Sequence, residues 1–196
     1  EGKSTISSYL WKMLSEAGFP TVLVDVDLRK SVMKTRFQMD YDDDTTLGLN
    51  HYLSGLAEYE DVVYSTNIPN GYMVPCTQLL ENPSALLEDI RFKELLDTLS
   101  ENYRFVIIDS PPLGSVSDGA LIASLCDGAV LVVRAGTTPR SLIKQSLYEI
   151  QHSGCRLLGT VLNRADVKGH VYGKYGYGYG YGYGYETDKE KKNSPE

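Results

Sequence analysis

Nowhere does this chain carry an apolar run approaching the ~18 residues that a membrane-spanning helix needs, and no signal peptide is visible. Cysteine is scarce: Cys76, Cys126 and Cys155 are odd in number and far apart. They form no obvious disulfide framework and no metal-ligand pattern, which favours free thiols in a reducing compartment. Basic residues are outnumbered, 19 Lys and Arg against 26 Asp and Glu, for a net charge of -7. Phosphate backbones are gripped by clustered Lys and Arg, so this balance argues against a general nucleic-acid binder. A nucleotide site is not excluded, because it uses only a few basic groups. An initiating Met is lacking too, and the opening at Glu1 reads as a truncation.

What is present is ordinary in all but one place. At 196 residues and 42% hydrophobic, the chain is sized for one globular domain. Its 15 tyrosines and 18 glycines are unevenly spread. Seven of each fall between Gly169 and Tyr185, so the excess lies in one segment.

Ile6, Leu10, Met13, Leu14 and Ala17 recur at helical spacing, and Gly18 and Pro20 end that helix. Thr21 to Asp25 is a short apolar run ending in acid, which predicts a buried parallel strand. Arg29 to Asp44 reads as a loop with a short helix, Leu47 to Leu56 as a helix, and Tyr72 to Pro75 as a short strand. Asn82-Pro83 predicts an N-cap and first turn, opening one helix that runs to about Asn102. Strands follow at Phe105–Asp109, Ala129–Val133 and Leu157–Leu162, with helices at Ala120–Leu125 and Ser141–His152. This alternation predicts an α/β fold with a mostly parallel β-sheet flanked by helices on both faces. Ligands on such sheets bind at the carboxyl ends of the strands, where Asp25 and Asp109 stand. Residues 1–166 form the expected domain, and residues 167–196 a disordered tail without apolar periodicity.

Gly2-Lys3-Ser4-Thr5 precedes the first helix and matches the second half of G-x-x-x-x-G-K-[ST]. Gly lets backbone approach phosphate, and N–H groups at a helix start favour anions. In such a motif Lys3 can reach the β and γ phosphates of a nucleotide, and the Ser4 hydroxyl can ligate Mg²⁺. Four such residues also arise by chance, and the first half of the pattern is absent. Context adds weight. Phe105–Asp109 followed by Ser110-Pro111-Pro112 has the form of a Walker B strand, though an Asp there also serves as a strand cap. Asp25 and Asp27 follow another strand and fall on one side if the chain stays extended. Two carboxylates can divide labour between Mg²⁺ and a hydroxyl proton. Ion pairing of either with Arg29 is the competing reading.

Tyr172, Tyr175, Tyr177, Tyr179, Tyr181, Tyr183 and Tyr185 alternate mostly with glycine, a pattern that cannot build a core. Such a segment is a nucleic-acid stacking platform, an adhesive tract, or a row of phospho-acceptors. Few basic residues argue against the first. By itself the composition favours the second, and attachment to an ATP site with paired acids favours the third.

Asp25-x-Asp27-x-Arg29 after its strand resembles the Walker A′ motif of the bacterial tyrosine kinases, and Val106–Pro111 resembles their Walker B. Asn82-Pro83-Ser84 with Leu86-Leu87 resembles their Asn-Pro-Ser helix start, with Ala85 in place of an acid. Val161-Leu162-Asn163-Arg164 resembles the base-bordering segment of this family and its MinD/ParA relatives. The tyrosine-rich tail also matches the family. The resemblance implies a P-loop tyrosine kinase using ATP and Mg²⁺, acting in capsule or exopolysaccharide export. It assigns phosphate and Mg²⁺ binding to Gly2, Lys3, Ser4 and Thr5, and the catalytic base to Asp25. It gives Mg²⁺ ligation to Asp27 and Asp109, with Lys3 and Asp27 also serving catalysis. It makes Asn163 an adenine contact, for which a strand-end turn residue is the alternative. The tail tyrosines become acceptors, phosphorylated by a neighbouring subunit of a ring. Further implied partners are a membrane adaptor, fused or separate, that holds the cytoplasmic kinase at the inner face of the plasma membrane, and a tyrosine phosphatase. The alternative function is a MinD/ParA-type ATPase without kinase activity.

Overall fold

The computed structural model describes residues 1–37, 45–113 and 118–165. The tyrosine tail and the second part of the segment expected as a loop lie outside the described residues.

Thr21–Asp25 (β1) forms the centre of the larger sheet. It pairs in parallel with Gly71–Val74 (β3) on one side and Phe105–Asp109 (β4) on the other. A two-residue strand, Tyr64–Ser65 (β2), joins β3 antiparallel and gives the order β2-β3-β1-β4. Ala129–Arg134 (β5) and Leu157–Asn163 (β6) form a separate parallel pair. The expected parallel alternation is therefore present, but as two hydrogen-bonded sheets among the described residues.

β1 is apolar because both its faces are covered. Val22 and Val24 pack into a cluster with Phe92, Leu95 and Leu99, while Leu23 packs with Trp11, Met33 and Met73. All three β1 side chains are 0% exposed, and removing each from water contributes roughly 1.5–3 kcal/mol. The first face lies under Ile90–Asn102 (α6), the second under Lys3–Glu16 (α1) and Met33–Phe37 (α2). The smaller sheet packs Leu131 and Val133 on Ile150 of Arg140–His152 (α8).

α1 carries the phosphate motif, so its anchoring positions the site. Trp11 Nε1 donates to the Thr21 carbonyl at 3.1 Å and ties the helix to β1. The helix stops as expected at Gly18, whose φ is +92°. The Gly18 N–H reaches Ser15 O and the Phe19 N–H reaches Leu14 O, which satisfies the terminal carbonyls.

One expected helix is two. Ser84–Glu88 (α5) ends at Asp89, where ψ of 148° breaks the run before α6. Asp89 accepts from the Arg91 N–H at 2.9 Å. A short acidic side chain favours this cap over helix interior. Pro83, expected at the first helical position, stands at the N-cap instead. Leu49–Leu53 (α3) is shorter than expected, and Tyr59–Val62 (α4) and β2 were not anticipated. Asp118–Ser124 (α7) begins two residues earlier than expected.

Candidate functional site

Gly2 adopts a left-handed conformation, φ 103°, immediately before α1. The first helical bond runs from Ile6 N–H to Gly2 O at 3.0 Å. The N–H groups of Lys3 and Ser4 precede that bond and open the helix, the arrangement that attracts anions. Lys3 Nζ lies 2.8 Å from Glu1 Oε2, so a carboxylate holds the ammonium that a phosphate would compete for. The Lys3 hydrogen bond, opposed by burial, keeps the Glu1 carboxyl below its usual range.

A Cβ on Gly2 would stand 2.2 Å from Asn163 Nδ2. Asn163 closes β6 against this loop, donating from Nδ2 to the Glu1 carbonyl at 2.8 Å and accepting from the Arg164 N–H at 2.9 Å. Both ends of its amide are thus engaged locally, as a strand-end turn residue requires. Gly2→Ala should weaken MgATP binding by about tenfold or more, because it adds left-handed strain as well as this clash. Titration calorimetry on the full-length protein checks it, and an unchanged affinity would exclude Gly2 from the phosphate cradle. A cavity of about 60 Å³ opens beside Lys3, lined also by Ser110, Pro111 and Val133. That volume suits water or part of a phosphate, not the roughly 300 Å³ or more of a pocket for a whole small-molecule ligand.

The parallel register of β1 and β4 sets Asp25 opposite Asp109 at the carboxyl ends of adjacent strands. Asp25 is 0% exposed. One of its oxygens makes a very short bond with the Ser31 hydroxyl, and the other accepts from the Asp27 N–H at 3.3 Å. Burial pushes the Asp25 pKa up to about 7, with the Ser31 bond opposing and the Asp109 charge reinforcing the rise. Asp109 accepts from Ser7 Oγ at 3.0 Å. Burial raises its pKa as well, against hydrogen bonds from Ser4 and Ser7 and the charge of Lys3. Asp27 is half-buried and accepts from the Lys30 N–H at 3.0 Å. Lys3, Ser4, Asp25, Asp27 and Asp109 therefore converge, drawn from α1, β1, the loop after β1, and β4.

Among the described residues no cluster of three or more His, Cys, Asp or Glu could hold a metal by itself. Mg²⁺ does not need one, since it is commonly held by one or two carboxylates, water and substrate phosphates. A hydroxyl on Ser4 beside Asp109, with Asp27 near, fits a cation that arrives with phosphate. Such a cation would also relieve the repulsion between the facing carboxylates.

Arg29 pairs with neither Asp25 nor Asp27. Its guanidinium turns to Asp118, 3.0 Å away, and to Ser84 Oγ at 3.0 Å. The sequence reading passed over Ser7, Ser31 and Asp118. Ser7 carried one usable signal: it lies three residues after Ser4 and so shares its helix face. Ser31 and Asp118 carried none, since isolated polar residues have no period.

Residues 1–150 match the family described as AAA domain. A tyrosine-protein kinase CpsD of Streptococcus agalactiae is 40% identical over 176 residues, spanning 90% of this chain and 76% of that protein. A tyrosine-protein kinase ptk of Acinetobacter johnsonii is 33% identical over 162 residues, 83% of this chain but 22% of that longer protein. The kinase domain of Escherichia coli tyrosine kinase ETK superposes with a TM-score of 0.78 at 27% identity, covering 90% of this chain and 68% of that one. The septum site-determining protein MinD of Pyrococcus horikoshii, complexed with Mg-ADP, gives a TM-score of 0.66 at 25% identity, covering 83% and 65%. Among the described residues no helix is long and apolar enough to cross a membrane.

Proposed function

The chain belongs to the AAA-domain family and, within it, to the bacterial tyrosine-protein kinases, and from that premise we propose that it transfers the γ-phosphoryl of ATP to tyrosine hydroxyls of its own C-terminal tail. The observation that carries this reading is the buried pair Asp25 and Asp109, facing each other beside Lys3 and Ser4. The N–H groups at the start of α1 and the Lys3 ammonium hold the phosphates, with Gly2, Ser4 and Thr5 completing the cradle. Ser4, Asp27 and Asp109 would hold Mg²⁺, which when bound would supply charge neutralisation on the transferring group. Asp25 orients the acceptor hydroxyl and takes its proton as the new O–P bond forms and ADP leaves. Asn163 reaches adenine only if its amide exchanges the Glu1 carbonyl for the base.

The acceptors are Tyr172, Tyr175, Tyr177, Tyr179, Tyr181, Tyr183 and Tyr185. Tethering keeps their local concentration high, and in a ring each tail enters the neighbouring subunit. A membrane adaptor and a tyrosine phosphatase complete the system, which serves capsule or exopolysaccharide export. The long Acinetobacter relative, of which this region is 22%, supports a fused adaptor as one arrangement. The likeness to MinD with Mg-ADP favours a second reading, a positioning ATPase that uses the same phosphate site.

Incubating the full-length protein with ATP and Mg²⁺ and analysing the tail by mass spectrometry separates the two. Tail phosphotyrosine is expected, falling by about tenfold or more in Lys3→Met, which removes the charge opposite the phosphates. ATP hydrolysis with no phosphotyrosine would overturn the kinase reading and favour the ATPase.

A further inference from the structure

Arg29 lies in the loop that leaves Asp25 and Asp27, and its side chain is held from three directions. Its Nε donates to Asp118 Oδ2 at 3.1 Å, and Nη2 approaches the same oxygen at 3.0 Å. Nη2 also donates to Ser84 Oγ at 3.0 Å, and Nη1 to the Glu81 carbonyl at 3.1 Å. Ser84 in turn donates to Asp118 Oδ1 at 2.6 Å, so both oxygens of this carboxylate are engaged. Asp118 is 1% exposed, whereas the Arg29 side chain is 29% exposed. A buried carboxylate with a fixed guanidinium is far stiffer than a solvated surface pair.

The placement matters more than the bonds. Asp118 opens α7, the first helix after β4, so it lies downstream of Asp109. Arg29 follows β1, so it lies downstream of Asp25. The clasp therefore bridges the chain segments leaving the two strands that carry the facing carboxylates. Two further bonds stiffen the span between Asp25 and Arg29: Leu80 N–H to the Leu28 carbonyl at 2.8 Å, and Lys30 N–H to Asp27 Oδ1 at 3.0 Å. None of these bonds involves residues Gly2 to Thr5, which would hold the phosphates.

We propose that Asp118 is a positioning residue that acts through Arg29, with Ser84 as the third member, to set Asp25 and Asp27 against Asp109. This rests on the kinase reading above. The clasp then governs the transfer step, with little effect on nucleotide affinity. A displacement of about 1 Å in a reacting group can cost on the order of 10²-fold.

The test uses Asp118→Asn, Arg29→Lys and the double variant in the full-length protein, with initial rates of tail phosphorylation measured over a range of MgATP. Asn keeps the shape and removes the charge, and Lys cannot form the fork. The expected result is a fall in kcat of about 10–100-fold, with KM for MgATP within about threefold of wild type. Because the residues act as one unit, the double variant should be no worse than the poorer single. A kcat within about twofold of wild type overturns the proposal, as does a KM that rises in step with the kcat loss or single effects that multiply in the double. Should Asp118→Asn fail to fold, Ser84→Ala decides, since it removes one hydroxyl: lowered kcat at unchanged KM supports the clasp, and wild-type kcat overturns it. A wild type that hydrolyses ATP without making phosphotyrosine refutes the kinase reading alone, and the same variants are then compared on kcat for hydrolysis.

Discussion

Asp25→Asn should cut phosphotyrosine formation by about 10²–10⁴-fold while MgATP still binds, the range expected for loss of a general base. The substitution conserves shape. Its amide can still accept from the Asp27 N–H and exchange a hydrogen bond with the Ser31 hydroxyl, the two partners Asp25 has. What it removes is a basic oxygen whose pKa burial has brought to about 7. A proton acceptor is most useful when its pKa lies near the working pH, because it is then both ionised and basic. The sign for activity follows. With Asp25 as the proposed base, only its ionised form accepts the proton, so kcat/KM should rise as pH increases through the Asp25 pKa and level off above it. A divalent cation bound nearby shifts that limb to lower pH, because positive charge favours the carboxylate. Initial rates between pH 5 and 9 check both statements. If Asp25→Asn keeps more than a tenth of the wild-type rate, the base lies elsewhere, and Asp27 becomes the next to test.

Much of this frame was legible because it follows from burial. β1 is covered on both faces and β4 is half-buried along most of its length, so both read as apolar runs, and the acid closing each run is itself buried at the carboxyl end of its strand. The need for glycine before α1 was legible, because close backbone approach and positive φ both demand it, and Gly2 does take the left-handed conformation. The end of α1 was legible for the same reason at Gly18. The break at Asp89 was missed because apolar positions on both sides kept helical spacing, and one capping side chain outweighed that continuity. β2 was missed because two residues make no pattern. The partners of the acids were missed for a different reason. Ser7 meets Asp109 across 102 positions and Arg29 meets Asp118 across 89, contacts that the fold creates and no local pattern announces. The pairing of Asp25 with Asp109 was half legible: each could be placed at a strand end, but their adjacency needed the strand order.

The same burial that tunes Asp25 should destabilise the nucleotide-free protein at neutral and alkaline pH. An unfolded Asp titrates near 4 and the folded one at about 7. The folded state therefore binds the proton more tightly, and stability falls as pH rises between these values. Below about pH 4 both states are protonated and the penalty vanishes. Above 7 it is complete, at roughly 4 kcal/mol if about 1.4 kcal/mol is taken per pKa unit. Asn cannot ionise and escapes this cost at every pH. Asp25→Asn should therefore melt higher than wild type at pH 8, by on the order of 10 °C for a domain of this size, and the gap should close as pH falls toward 4. Thermal melts of both proteins at several pH values, with no nucleotide or divalent cation, read the effect directly. A gap that does not change with pH would mean that Asp25 ionises as freely in the folded chain as in the unfolded one. Adding MgATP should narrow the gap at pH 8, because bound cation stabilises the carboxylate that only the wild type has. The variant that is most stable alone is thus expected to be the least active, because the buried charge that destabilises the fold is the same charge proposed to accept the proton.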